Sequence, residues 1–324
     1  MRKIIIFGTI GVILCYFTII SIGKAFRSDW QLPSASDGDQ AQYRLVLITQ
    51  ELDTPFWEKV GKGALQQAEA EGANLKIWGS YGNNQEDFLR QVEIAIQSKV
   101  DGIIVQGLDT DIFKELTKIK AAFYGIPVIT VANDVPMEES LRRTYVGSDQ
   151  VLAGEMIARQ LLSDMGEEGT VILMGDSHQK YYQEQRIDGI YQVLKDYPNV
   201  QAVYVDTPTT REEVFQATRD LLNRMPEADA FIAVNANIAG AMIQEIRSRS
   251  QVAPYYIYTF DDGTESITLY EQGVLDGMIE QSPEQMGRMS VEKIVRWLQR
   301  EEVPLDADGY FTDIRMLKAM DAHE

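Results

Sequence analysis

The chain of 324 residues holds one cysteine, Cys15, and two histidines, His178 and His323. A single cysteine excludes a disulfide within the chain and any cluster of thiolate ligands. The two histidines stand far apart and His323 is the penultimate residue. A His-based metal site or a Ser-His-Asp triad would therefore have to rest on His178. Positive charge is scarce as well: Lys and Arg number 30 against 49 Asp and Glu, a formal net charge of -19. Phosphate binding needs clustered Lys and Arg, so nucleic acid is not expected as a partner. The same charge disfavours wide contact with anionic lipid headgroups. Apolar residues make up 45% of the chain, too few for a polytopic membrane protein. No dinucleotide fingerprint or phosphate loop is present, since Gly8-Thr9-Ile10-Gly11 falls inside an apolar run.

That run, Ile4 to Ile22, carries no charge; Met1-Arg2-Lys3 precedes it, and Lys24 and Arg27 follow. A bilayer span takes roughly 17–25 residues, whereas the apolar part of a signal peptide takes about 7–15. Two readings stand: an uncleaved anchor, or a signal peptide cut after Gly23 or Ala25. Acylation at Cys15 is disfavoured, because Leu14 occupies the place where a lipobox needs a small residue. The short basic start places the rest of the chain outside the cytoplasm, anchored to the cell membrane or, after cleavage, secreted or periplasmic. Residues 1–27 thus form the anchor or signal segment. Residues 28–42, with Pro33, Ser34, Ser36, Gly38 and Asp39, read as a flexible linker.

From Tyr43 the pattern changes to short β-branched runs alternating with amphipathic helices. Strands are expected at 44–49, 74–78, 102–106, 128–131 and 145–146, then at 170–174, 201–205, 230–234 and 255–260. The helices between them carry apolar residues at helical spacing, as Phe56, Val60, Ala64 and Ala68 do. Such alternation indicates parallel sheets built from right-handed βαβ units, and the length suits two domains. The fold class is therefore α/β, two doubly wound parallel-sheet lobes. The two series also repeat each other. Asp101-Gly102-Ile103-Ile104-Val105-Gln106 parallels 228–235, and Pro127-Val128-Ile129-Thr130 with Asn133-Asp134 parallels 254–261.

Ligands of open parallel sheets bind beyond the carboxyl ends of the strands. Gln50, Gln106, Asn133, Asp134, Asn235 and Asp261 all fall there. Any one of them could equally be a helix cap or a turn residue. Phe56 and Trp57 open a helix after the first strand; one is expected in the core, the other as a platform for the C–H face of a sugar ring. Arg186, near a helix start, could donate to ring and hydroxyl oxygens together.

In order and spacing these motifs resemble the type I periplasmic binding protein family, in its ribose-binding branch. The resemblance runs through Thr54-Pro55-Phe56-Trp57, Gly125-Ile126-Pro127-Val128, Val146-Gly147-Ser148-Asp149, Gly154, Arg186 with Gly189, and Phe260-Asp261-Asp262-Gly263. It implies ligand contacts by Phe56, Trp57, Asp134, Arg186, Asn235, Asp261 and Gln281, a set that suits a neutral sugar or polyol. Val135 stands where many relatives carry Arg, and Thr54 where Asn is common. The resemblance further implies a first lobe of 43–148 plus 282–308 and a second of 149–281 plus 309–324. Three hinge crossings are expected near Ser148, Asp262 and Gln281. Binding with hinge closure would serve either an ATP-driven importer, through its permease, or a membrane histidine kinase. A ligand-sensing domain of the lactose-repressor type, or a binder of a non-sugar signalling molecule, is the alternative. No enzymatic activity, catalytic residue, cofactor or metal is expected, and membrane contact is expected through the N-terminal segment alone.

Overall fold

A computed structural model describes residues 43–82, 84–176, 180–207, 210–248, 255–260 and 264–318. The first series of elements is β1 (Arg44–Thr49), α1 (Pro55–Ala70), β2 (Asn74–Gly79), α2 (Gln85–Gln97), β3 (Gly102–Gln106), α3 (Asp111–Glu115), a π-helical turn (Leu116–Ala121), β4 (Val128–Val131), α4 (Met137–Ser140) and β5 (Thr144–Gly147). The second is α5 (Gln150–Met165), β6 (Gly169–Gly175), α6 (Lys180–Leu194), β7 (Val200–Asp206), α7 (Arg211–Arg224), β8 (Ala230–Ala233), α8 (Ala236–Ser248), β9 (Tyr256–Phe260), α9 (Thr264–Glu271) and β10 (Gly277–Glu280). The chain ends with α10 (Pro283–Gln299), β11 (Tyr310–Phe311) and β12 (Arg315–Lys318).

Two six-stranded sheets result, in the orders β11-β5-β4-β3-β1-β2 and β12-β10-β9-β8-β6-β7. The orders are the same once each lobe is numbered from its own first strand, so the repeat seen in sequence is a repeat of topology. The registers repeat too: Leu45 faces Gly102 as Val171 faces Ala230. All recorded pairs are parallel except β10 with β12. Central strands β3, β4 and β8 are buried along their whole length, which is why they read as unbroken apolar runs. Edge strands β2 and β7 are only partly buried and carry Lys76 and Asp206.

Each sheet has a core on both faces. In the first lobe Phe88, Phe113 and Ile103 pack on one side, while Leu47, Val60, Ile129, Ile294 and Val295 pack on the other. In the second, Phe231, Met242 and Ile243 oppose Ile157, Leu173, Ile190 and Tyr258. The acidic residue before β3 and its counterpart before β8 do the same work. Asp101 accepts from Arg44 N at 2.7 Å and Asp229 from Thr170 N at 2.8 Å, each closing the amino end of its lobe's first strand.

The sheets also locate the passages between lobes. β5 ends in the first sheet, and α5 packs on the second-lobe core through Ala153 and Ile157. β10 ends in the second sheet, and α10 packs on the first-lobe core. β11 lies in the first sheet and β12 in the second, so the third passage is Thr312–Ile314. The crossing expected near Asp262 falls on residues outside those described, and β9 and β10 on either side of it both belong to the second sheet. The boundary expected at 308 likewise moves past Phe311, because β11 pairs with β5. The boundary moves because β11 is a short edge strand without an apolar run.

Candidate functional site: the cleft edge of two sheets

The carboxyl ends of β1, β3 and β4 carry Gln50, Gly107–Asp109 and Asn133–Asp134, and these face Tyr181 and Tyr182 from the start of α6 across a narrow gap. The gap has room for roughly one water molecule. The polar groups along this edge were expected to divide between caps and ligand contacts. Gln106 is a brace: its Oε1 accepts from Thr49 Oγ1 at 2.9 Å and from Gln50 N at 2.8 Å. Asn235 is a cap, its Oδ1 accepting from Ile238 N at 3.2 Å at the start of α8. No bond of its amide nitrogen is recorded among the described residues.

Trp57 is 4% exposed and packs in the first-lobe core, because Thr54 caps α1 and turns position 57 inward. Phe56 stays half-buried with its ring edge-on to the indole, 5.6 Å between centroids. Of the two aromatics, Phe56 is thus the one with surface to offer.

Asp134 is 6% exposed and heavily engaged. Thr130 Oγ1 donates to Oδ1 at 2.5 Å, and Arg142 Nη2 donates to Oδ2 at 2.6 Å. Burial pushes its carboxyl above the usual carboxylate range, and the Arg142 guanidinium opposes that rise. Arg142 also donates to Val135 O at 3.1 Å and to Ala307 O at 2.9 Å. Sequence reasoning did not single out Arg142; its partners are set by the way α4 folds the loop back, and nothing local signals that.

In the second lobe, Arg186 is buried on α6. Its Nε donates to Gln150 Oε1 and its Nη1 to Val234 O, both at 2.7 Å. The guanidinium lies 4.5 Å from the Phe260 ring centroid and 5.0 Å from that of Tyr182. Gln150 continues the chain of bonds to Tyr145 Oη at 3.3 Å, and that phenol donates to Ala132 O at 2.9 Å and lies 3.1 Å from Ser148 O. Burial raises the Tyr145 phenol, Asp134 raises it further, and Arg186 and Arg142 oppose. Arg186 of the second lobe is thus linked through Gln150 to Tyr145 of the first.

Gln281 stands on the second passage between lobes, and its Oε1 accepts from Ser148 Oγ on the first passage at 2.6 Å. The other passages are tied as well: Thr312 N donates to Gly147 O at 2.8 Å, and Ser282 Oγ to Asp313 O at 2.8 Å. Asp261 and His178 lie outside the described residues. Among the described residues no helix is long and apolar enough to cross a membrane, and the run Ile4 to Ile22 lies outside them.

Comparison with known proteins agrees with this architecture. The glucose-galactose binding protein GanP of Geobacillus stearothermophilus has a TM-score of 0.77 at 27% identity, over 86% of this chain and 98% of that one. The XylFII-LytSN complex gives 0.73 at 25% identity, over 86% and 98%. The ribose import binding protein of Bacillus subtilis is 23% identical over 264 residues, 81% of this chain and 84% of that protein. The family model described as periplasmic binding protein domain matches residues 45–302, and the chain belongs to that family.

Proposed function

We propose that this protein binds a small neutral sugar or polyol between its lobes, outside the cytoplasm, and that closure of the hinge around it is what a membrane partner reads. What supports the reading is that strand ends in both lobes carry polar side chains: Asp134 follows β4 in the first, and in the second Asn235 follows β8, where Arg186 donates to Val234 O. Open parallel sheets bind ligands at this edge. Phe56, backed by Trp57, takes the apolar face of the ring. Arg186, Asn235 and Gln281 donate to or bridge hydroxyls, with Asp134 and Asp261 as acceptors. No catalysis is assigned to the site.

Calorimetric titration of the full chain with D-ribose, D-allose, D-galactose and xylitol is expected to give saturable binding to at least one. Hydrogen bonds to charged groups contribute about 1.5–3 kcal/mol, so Arg186→Ala should weaken that binding by roughly 10- to 150-fold. A folded protein that binds none of the four overturns the sugar reading.

Two partners fit a closing binding protein: the permease of an ATP-driven importer and a membrane histidine kinase. The uncharged run Ile4 to Ile22, long enough to anchor the chain, favours the kinase, as does the likeness to XylFII, a protein found in complex with LytSN. Cross-linking in native membranes is expected to recover a kinase; importer subunits alone would sink this part of the reading.

A further inference from the structure

Tyr181 and Tyr182 are adjacent in α6 and both line the gap to the first lobe, but Tyr182 is also anchored within its own lobe. Tyr182 is buried, its hydroxyl accepts from Gln183 Nε2 at 3.4 Å, and its ring lies under Arg186 of its own lobe. Tyr181 is half-buried. The groups that line the gap opposite it all belong to the first lobe: Gln50 after β1, 107–109 after β3, and Asn133 with Asp134 after β4. Burial raises its phenol; the charges it feels are Asp134, Arg142, Asp308 and Glu139, every one on the first lobe's side of the hinge. Opening the hinge would take the ring off this rim and return it to water.

We propose that Tyr181 is a positioning residue for closure, a clasp whose ring joins the second lobe to the first beside the ligand site. A contact made by protein on both sides favours the closed form whether or not a sugar is bound. A ligand that binds the closed form then draws on a larger competent population, and its apparent dissociation constant falls in proportion. The inference extends the sugar-binding reading but rests on the lobes' geometry alone, not on the identity of the ligand.

Cys15 is the chain's one cysteine, so Cys15→Ser frees the full-length protein for spin labels at Glu138→Cys in the first lobe and Asp188→Cys in the second. In the sugar-free protein, Tyr181→Ala is expected to move the interlobe distance distribution to longer values, and Tyr181→Phe to stay near wild type. The Ala variant should melt close to wild type, since neither lobe's core loses a residue. For whichever of D-ribose and D-allose binds, Tyr181→Ala should raise the dissociation constant by about tenfold, the equivalent of a ring contact of ~1.4 kcal/mol. An unchanged distance distribution in Tyr181→Ala overturns the clasp even where sugar binds normally. A lengthened one supports it even where neither sugar binds.

Discussion

Asp134 and Arg142 show how one pair fixes the first lobe's share of the cleft. Both side chains are nearly inaccessible, at 5% and 4% exposure, and their contact is 2.6 Å. Arg142 also holds Ala307, so the loop after β4 and the segment after α10 are fastened at one point. Arg142→Met would leave a buried carboxylate without its counter-charge, at a cost of about 3–5 kcal/mol near neutral pH. The sign with pH follows from burial. The folded carboxyl is already raised, and losing Arg142 raises it further. A carboxyl raised in the folded state contributes stability below its unfolded value and loses it as pH rises through the folded one. Melting at pH 4 and pH 7 is therefore expected to show a larger deficit for Arg142→Met at pH 7; an equal deficit would contradict the account. Val135 was legible in the sequence as a departure from the family pattern. The pairing of Asp134 with Arg142 was not, because Arg142 reaches Asp134 only after α4 has folded back.

At the scale of elements, two helix pairs cross through reciprocal glycines. A Cβ on Gly154 of α5 would stand 2.0 Å from Arg186 O, and one on Gly189 of α6 would stand 2.0 Å from Val151 O. In the first lobe Gly63 of α1 meets Glu284 O and Gly287 of α10 meets Val60 O at the same 2.0 Å. Even one methyl must push backbone apart, and overpacking of this kind costs about 1–3 kcal/mol. Gly154→Ala should lower the melting temperature and also weaken sugar binding, since α6 carries Arg186. Gly287→Ala pushes on Val60 of α1, which carries Phe56, so it too should lower the melting temperature and weaken sugar binding. Calorimetry on both variants checks this; an unchanged melting temperature and affinity in either would contradict it. Gly154 and Gly189 stood among the family-like motifs, but their pairing is a fact of packing. Most of the first nine strands were legible because buried strands spell apolar runs. β10 offers only Met278 and Ile279 between Gly277 and Glu280, β11 is two residues long, and β12 carries Arg315 and Lys318, so none of the three wrote such a run. β11 is held instead by Tyr310, whose hydroxyl donates to Glu302, and by Lys293 at 3.0 Å from the same carboxylate. These contacts hold the Glu302 carboxyl below its ordinary range. A depressed carboxyl contributes stability above its unfolded value and loses it as pH falls through the folded one. Protection of β11 against hydrogen exchange, taken relative to the unstructured chain at each pH, should therefore fall below about pH 4.5, and Glu302→Gln should flatten that dependence.

The described residues form two similar lobes joined by three passages that bond to one another, Ser148 to Gln281, Ser282 to Asp313, and Thr312 to Gly147. A ligand can shift such a hinge only by contacting the closed form better than the open one. The lobes present their cleft edges with charge and aromatic groups of different origin, which is what makes contact with both at once possible. The direct test is hydrogen exchange on the full chain, with and without saturating D-ribose, D-allose, D-galactose or xylitol. Binding in the cleft is expected to protect both lobes together: 107–109 and 133–135 in the first, 181–186 and 234–238 in the second, with the outer edges β2 and β7 unchanged. Protection confined to one lobe, or no change with any of the four, would contradict the account.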